Sequence, residues 1–457
     1  MSEHLLVGGN LAMLVAAADL VARGHGVRLL TDGAAPGGYF RGSVVEGETF
    51  DNGMVLIERR TEAGGSAADE PTPYAPSALH DWTRFGQRVD DWLTGRVELR
   101  RAPSLEVSVD GRRWPDHLLS NRLDVFGHLG TDDPAPFQVG DARHPAVKST
   151  SPTFDEVTYG ELAPLVHGAR NHAHLITPFA RKVLGPSHEH VLARHHRSGW
   201  LPLYWPESVA SARAGLPVGM PEYPFWSVAG GTVSDVVAGL VGELADSNAC
   251  EVDTSPVVAV GRDARGWQVR TAAAGRGRAS RLAVGLTPAR LHEVSGGACA
   301  APVDPPAANG VDLVYCLVRA TGARTPVSCL LVTESHLDVY RLTDQDVLAG
   351  TDRPWHRVVL EARTRGASVT GAVPGLVGEL CALLGVDAED VRVLGARRAE
   401  RGIPLLSAPV VEADAARAAA TVAWARDAPL SGSLLGLHVT SMNDQIVQGL
   451  EIAEELS

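Results

Sequence analysis

"LLVGGNLAMLVAAADLVARGHGVRLLTDG" occupies residues 5–33. A short apolar run ends in two glycines, a stretch of helix-forming residues follows, and a second apolar run begins after Gly26. This order predicts a strand, a helix and a strand within about 30 residues, which is the size of one βαβ unit. We expect Asn10 to cap the helix at its start, and Gly24 and Gly26 to end it.

The glycines in this stretch resemble a dinucleotide-binding turn. In such a turn the absence of side chains lets backbone N–H groups approach a pyrophosphate at the positive end of the helix. Aligned with the pattern G-x-G-x-x-G, the sequence has Val7, Gly9 and Ala12, with an additional glycine at Gly8. The glycine of closest approach is therefore expected at Gly9, whereas the first glycine is replaced.

The acidic residue that binds the ribose hydroxyls normally follows about 20 residues later. That position is Thr31 here, and Asp32 comes directly after it. A threonine hydroxyl accepts a hydrogen bond more weakly than a carboxylate does. The motif alone is weak evidence, because a parallel-sheet protein that binds no dinucleotide could carry the same residues.

The segment that follows strengthens the prediction. "GAAPGGYFRGSVVEGETFDNGM" contains Gly37-Gly38, a short spacer and the turn FDNGM. It closely resembles the second conserved segment of two-domain flavoproteins of the amine oxidase, protoporphyrinogen oxidase, phytoene desaturase and UDP-galactopyranose mutase group. An arginine often follows the glycine pair in that group; Tyr39 replaces it here, and Arg41 comes two residues later.

Further segments resemble the same group in the same order along the chain. Residues 223–244 look like its Gly-Gly segment opening a long helix, and residues 252–271 read as a strand, a turn and a strand. The resemblance implies that a backbone group of Val257 meets the adenine. Near the C-terminus it implies a helix, capped by Ser441 or Asn443, whose N-terminus points at the flavin ring. An acid often found in this last segment is replaced, because Leu437 follows Gly436.

The resemblance implies non-covalent FAD, since no cysteine lies near the C-terminal flavin segment. The cofactor-binding residues it implies are Gly8, Gly9, Asn10, Leu11, Ala12, Thr31, Asp32, Gly37, Gly38, Tyr39, Arg41, Gly53, Met54, Val257, Gly436, Met442, Asn443, Asp444 and Gln445. For the substrate pocket we consider Tyr204, Trp205, Trp226 and His195. The catalytic residues are not identified by the sequence.

The matching segments predict an α/β fold with a discontinuous, Rossmann-like FAD-binding domain at 1–75, 223–295 and 405–457. Residues 76–222 and 296–404 are then the substrate-binding domain, an α+β unit with a mixed sheet and a helical insertion. Residues 60–78 are expected to be a surface loop, and residues 128–152 are rich in turn formers.

Seven histidines lie between His167 and His196. A zinc or iron site is conceivable, because histidine is a common metal ligand, but the pairs spaced by two would lie on different faces of a helix. We therefore predict no metal. The aromatic residues at 200–205 are either a packed loop or a wall of the flavin pocket. No lysine follows Lys182, which argues against ordinary amine oxidation.

The 457 residues carry a net charge of −13 and include five cysteines without a C-x-x-C pair. This charge argues against nucleic acid or an anionic membrane as a partner, and scattered thiols are typical of a cytoplasmic protein. The expected function is FAD-dependent oxidation of a small organic substrate, in bacterial specialised metabolism. Two alternatives stay open: a redox-neutral flavin isomerase, and a degenerate member that has lost FAD and acts as a binding or structural partner. A homodimer is one assembly that we consider.

Overall fold

A computed structural model describes residues 3–58, 82–103, 105–115, 156–199, 201–202, 225–264, 266–273, 276–302, 308–320, 326–366, 368–438 and 440–457. The expected loops at 60–78 and 128–152 and the aromatic residues Tyr204 and Trp205 lie outside these ranges. Within the described residues no helix has both the length and the apolar character needed to cross a bilayer.

The strands are β1 (Glu3–Val7), β2 (Gly26–Leu30), β3 (Ser43–Val45), β4 (Glu48–Phe50), β5 (Ile57–Glu58), β6 (Leu99–Arg101), β7 (Glu106–Val109), β8 (Arg112–Pro115), β9 (Phe225–Val228), β10 (Cys250–Asp253), β11 (Val257–Asp263), β12 (Gly266–Thr271), β13 (Arg276–Ala279), β14 (Leu282–Val284), β15 (Ala308–Arg319), β16 (Cys329–Val332), β17 (Val339–Asp344), β18 (Trp355–Arg363) and β19 (Val391–Pro404).

The longer helices are α1 (Leu11–Ala22), α2 (Trp82–Leu93), α3 (Tyr159–His167), α4 (Thr177–Leu184), α5 (Val233–Asp246), α6 (Pro288–Val294), α7 (Gln345–Ala349), α8 (Val369–Leu384), α9 (Ala408–Ala425) and α10 (Met442–Leu456). Between α3 and α4 the chain forms one helical turn, Ala169–Asn171, and a π-helical turn, His172–Ile176.

The predicted βαβ unit is confirmed as β1, α1 and β2. These strands belong to a four-stranded sheet in the order β10-β2-β1-β14, and all its neighbouring strands are parallel. Side chains alternate between its two faces. Leu6 packs with α1 and α10 on one face, whereas Leu5 and Val7 pack with β11, β12 and α6 on the other. The sheet is therefore buried on both sides, as its apolar sequence predicts.

A mixed sheet, as expected for residues 76–222 and 296–404, is present. Seven strands pair in the order β19-β15-β18-β17-β16-β7-β8, and β16 and β7 run parallel whereas the other neighbours are antiparallel. Helix α8 packs on one face. On the other face lie α3, α4 and the turn around Phe50 and Met54, which brings the N-terminal segment onto this sheet.

Candidate functional site

The glycine turn after β1 begins one residue later than the sequence alignment predicts. Gly8 has a φ of +126°, and a Cβ atom there would lie 2.5 Å from the carbonyl carbon of Gly285. Gly8 is thus the glycine of the tight turn. Counting from it, the second and third motif positions are Asn10 and Met13, and not Gly9 and Ala12. The reason is that Val7 still pairs with both neighbouring strands, so the turn cannot start before Gly8.

Asn10 caps α1, as expected, and its side chain joins three segments. Its Oδ1 accepts the backbone N–H of Met13 at 3.1 Å, and its Nδ2 donates to the Gly285 carbonyl and to Ser431 Oγ, both at 3.1 Å. The protein therefore supplies the cap at a helix N-terminus where a phosphate oxygen would otherwise accept hydrogen bonds. Leu11 and Ala12 are buried in the core, so only their backbone can face a ligand.

The second glycine loop docks on this turn. The backbone N–H of Gly37 donates to the Gly9 carbonyl at 2.6 Å, and the Cβ position of Gly38 lies 3.5 Å from the Cα of Asn10. The two glycine segments expected at one cofactor are thus in direct contact. Arg41 follows on an exposed turn.

After β2, the chain brings Asp32 next to Val257, the first residue of β11. The Asp32 carboxylate accepts the Val257 N–H at 2.8 Å. It also forms a two-point ion pair with Arg290, with Nε–Oδ2 and Nη2–Oδ1 distances of 2.8 and 3.0 Å. The same guanidinium donates to the Val257 carbonyl at 2.6 Å. Thr31 is buried, and its hydroxyl donates to the carbonyl of Ala34 in its own turn.

Arg290 was not identified from the sequence. It lies 258 positions from Asp32, on the first turn of a short helix after β14, and no local pattern marks it as a partner of the βαβ turn. The parallel pairing of β1 with both β2 and β14 brings the two segments together.

Tyr39 lies beside the FDNGM turn, and the residue is 54% exposed. Its hydroxyl donates to the Asn52 carbonyl, and Asn52 Nδ2 donates back to the Tyr39 carbonyl at 2.9 Å. Asn52 Oδ1 accepts from Ser43 Oγ at 2.8 Å and from Tyr315 OH at 3.0 Å. The polar end of Tyr39 is therefore fixed, while the residue as a whole stays exposed. Burial of the hydroxyl, with Glu361 nearby, raises the pKa of Tyr39, which keeps it protonated.

The same turn meets a buried ion pair. The Cβ position of Gly53, where φ is +88°, lies 2.6 Å from the carboxyl carbon of Glu361. Glu361 is held by Arg341 through Nε–Oε2 and Nη2–Oε1 distances of 2.5 and 2.6 Å, and both residues are buried. Only glycine fits at position 53. Met54 is buried in the core rather than open to a ligand.

Asp51 fixes this turn to α5. Its carboxylate accepts the backbone N–H groups of Val233 and Ser234 at 3.1 and 2.8 Å, at the first turn of that helix. Gln345 completes the attachment from the seven-stranded sheet, because it exchanges hydrogen bonds with the backbone N–H and carbonyl of Asp51. Asp51 thus belongs to the support of the site rather than to its surface.

The C-terminal helix begins as expected, with Ser441 as its cap in a capping box with Asp444. All four residues of its first turn are buried: Met442, Asn443, Asp444 and Gln445. Gln445 Oε1 is buried and accepts no hydrogen bond from any described residue. Just before the helix, after Gly436, the backbone N–H of Leu437 donates to the Asp414 carboxylate at 2.9 Å.

His195 is buried, and its ring lies 4.9 Å from that of His438, a residue that no sequence pattern marks. Burial, together with His438 and Arg194, lowers the pKa of His195 to about 3. Burial also lowers the pKa of His438. Both imidazoles are therefore neutral at neutral pH. Trp226 lies in β9 between β5 and β6, packed against the core around α1.

No group of metal-ligating side chains suited to an ion occurs among the described residues. The fit to FAD differs between the two ends of the site. At the flavin end, the exposed Tyr39 offers an aromatic ring for stacking, and the buried Gln445 oxygen can accept the N–H of a flavin pyrimidine ring. At the adenosine end, the groups of Asp32 and Val257 already bind Arg290 or each other.

Comparison with solved structures places this geometry in a known fold. A reduced UDP-galactopyranose mutase superposes with a TM-score of 0.70 and 14% identity, covering 100% of this chain and 94% of that one. A protoporphyrinogen oxidase-like protein from Exiguobacterium sp. 255-15 gives 0.65 and 15%, covering 100% and 98%. A putrescine oxidase bound to putrescine gives 0.55 and 15%, covering 100% and 98%.

No protein-family model matches the chain. No curated protein matches its sequence. At these identities the likeness shows the fold alone. The chain has the fold of the amine oxidase-like flavoprotein superfamily, to which the three solved structures belong.

Proposed function

We propose that the protein is an FAD-dependent oxidoreductase that binds FAD non-covalently and acts on a small organic substrate. The observation that carries the proposal is the superposition of the whole chain on flavoproteins, with a TM-score of 0.70 for the mutase. Support comes from the contact between the two glycine segments at the start of α1. The proposed cofactor domain comprises 1–75, 223–295 and 405–457, and the rest binds substrate.

When bound, FAD would supply a flavin ring that accepts or returns an electron pair. In this proposal the Tyr39 ring and the first turn of α10 hold that ring, and the Gln445 side chain orients it. The dipole of α10 would favour negative charge at its N-terminus, although Asp444 in the capping box partly offsets it. The lowered pKa values of His195 and His438 keep both imidazoles neutral and make them weak proton acceptors, so in this proposal they contribute hydrogen-bonding groups near the same segment.

The described residues give no support to the lysine chemistry of amine oxidation. Lys182 is buried, and its Nζ donates to the carbonyls of Val332 and Val339, each at 3.0 Å. This lysine therefore joins α4 to the connection between β16 and β17. We propose substrate oxidation that does not depend on a lysine-held water. We further propose a cytoplasmic location in a bacterium and a role in specialised metabolism, with a homodimer as the assembly.

Two other functions are each favoured by particular observations. The mutase superposition favours a redox-neutral rearrangement on the same flavin. The Asn10 cap and the Arg290 ion pair favour a member that has lost FAD, because they occupy groups that a dinucleotide would use.

Flavin content separates these functions. We expect the purified protein to be yellow, or to become yellow when reconstituted with FAD, and to release FAD on denaturation. Anaerobic addition of candidate substrates then distinguishes net oxidation, which bleaches the flavin stoichiometrically, from rearrangement, which turns over without lasting reduction. A folded protein that stays colourless and shows no heat of FAD binding by calorimetry contradicts the proposal and supports the flavin-free member.

A further inference from the structure

The adenosine end of the site is occupied by the protein itself. Val257 N–H donates to Asp32, and the Val257 carbonyl accepts from Arg290. The Asp32 carboxylate is engaged on both oxygens by the same arginine. A ligand that uses the Val257 backbone and an acidic ribose acceptor therefore finds all three groups bound. We call the contact among Asp32, Val257 and Arg290 the latch.

Arg290 is not available as a phosphate site in this arrangement. Its Nε and Nη2 bind Asp32, its Nη2 also binds the Val257 carbonyl, and its Nη1 lies 2.6 Å from Glu293 Oε2. Two carboxylates thus bind one guanidinium. A two-point arginine–carboxylate pair is among the stronger side-chain contacts, and here the Asp32 side chain is only 12% exposed, so solvent screens it weakly.

Arg290 is nevertheless able to leave. Its side chain is 28% exposed, and it lies on α6, a helix of seven residues. Rotation of its side chain breaks the contacts to Asp32 and Val257 without a change in any strand. The Val257 carbonyl and the second oxygen of Asp32 would then be free to accept hydrogen bonds.

We propose that Arg290 is a latch residue that must leave Asp32 and Val257 before an adenine nucleotide can bind. The proposal rests on the proposed function, in that the nucleotide is the adenosine half of FAD. An apparent dissociation constant increases by the inverse of the fraction of molecules that are competent to bind. The latch therefore weakens ligands that carry adenosine and leaves a flavin without adenosine unaffected.

Calorimetric titration of the full chain with FAD, FMN and ADP tests the latch in the wild type and in Arg290→Ala. If the latch is closed in about nine of ten molecules, the variant binds FAD and ADP about tenfold more tightly. The affinity for FMN should stay unchanged. Arg262→Ala is the matched control, because it removes an arginine of β11, the strand that begins at Val257, from an ion pair with Asp427 and touches neither Asp32 nor Val257.

A second variant at the same position keeps the test valid if Arg290→Ala is too unstable to fold. Arg290→Gln keeps one donor for the Val257 carbonyl but loses the two-point pair with Asp32. Its affinity for ADP should therefore lie between that of the wild type and that of Arg290→Ala. The latch is overturned if folded Arg290 variants bind ADP and FAD no more tightly than the wild type does. The proposed function still stands in that case, as long as FAD binds. Tighter ADP in Arg290→Ala without any binding of FMN or FAD supports the latch and contradicts the flavin function.

Discussion

At the residue scale, the site is held by polar side chains that each join distant segments. Asn10 joins α1 to Gly285 and Ser431, and Asn52 joins the Tyr39 loop to Tyr315 of the seven-stranded sheet. The cap at Asn10 could be predicted from sequence, because capping is a local preference. Its long-range bonds could not, since their partners lie 275 and 421 positions away.

Replacing Asn10 with alanine removes the cap and both long-range hydrogen bonds. A lost cap costs about 1 kcal/mol, and each lost hydrogen bond about 1 kcal/mol. We expect the free energy of unfolding in urea to fall by roughly 2–3 kcal/mol. Asn10→Ser is the control, because serine still caps the helix but is too short for the distant partners, so its loss should be smaller. Equal losses in the two variants would show that the distant bonds contribute nothing.

At the element scale, local patterns predicted the βαβ unit, the β11–β12 hairpin and the C-terminal helix. Each is defined by neighbours in sequence: apolar periodicity, a turn at Asp263–Gly266, and a serine cap. The one-residue error in the motif alignment arose because glycines at both Gly8 and Gly9 fit the pattern, and only the pairing of Val7 in the sheet decides between them. Arg290, Glu361 and His438 needed the tertiary fold to be found.

Helices α1 and α10 pack closely at Gly449, and a substitution there tests this packing. A Cβ atom there would lie 2.6 Å from both the Ala12 carbonyl oxygen and Val15 Cβ. Gly449→Ala should therefore destabilise the protein by about 1–3 kcal/mol, because overpacking forces the helices apart. Gly378→Ala on α8 is the control: no atom lies within 4 Å of its Cβ position, and a helical alanine should add about 0.5–1 kcal/mol. Thermal unfolding that shifts in the same direction for both variants would contradict this packing.

At the scale of the whole molecule, several histidines are buried in one helical segment. This segment runs from α3 to residue 199 and packs on the seven-stranded sheet. Burial lowers the pKa of His167, His172, His188 and His195, and that of His172 falls to about 4. These imidazoles are neutral in the folded protein, whereas the unfolded chain binds protons below pH 6.5, the ordinary value for histidine. Stability therefore decreases as pH falls through this range, because the unfolded state binds more protons.

The effect can be measured at His172. A buried histidine with a pKa of about 4 lowers the free energy of unfolding of the protein by about 1.4 kcal/mol for each pH unit below 6.5. Between pH 6.5 and pH 5 the free energy of unfolding in urea should decrease in the wild type, and in His172→Gln this decrease should be smaller by about 1.6 kcal/mol. Glutamine binds no proton in either state, so the variant lacks this part of the pH dependence even if it is less stable at pH 6.5. His174→Gln is the control for the substitution itself, because it makes the same exchange at an exposed position of the same segment. A pH dependence in His172→Gln as steep as that of the wild type would mean that His172 is protonated in the folded protein, and that the segment opens to water in this range.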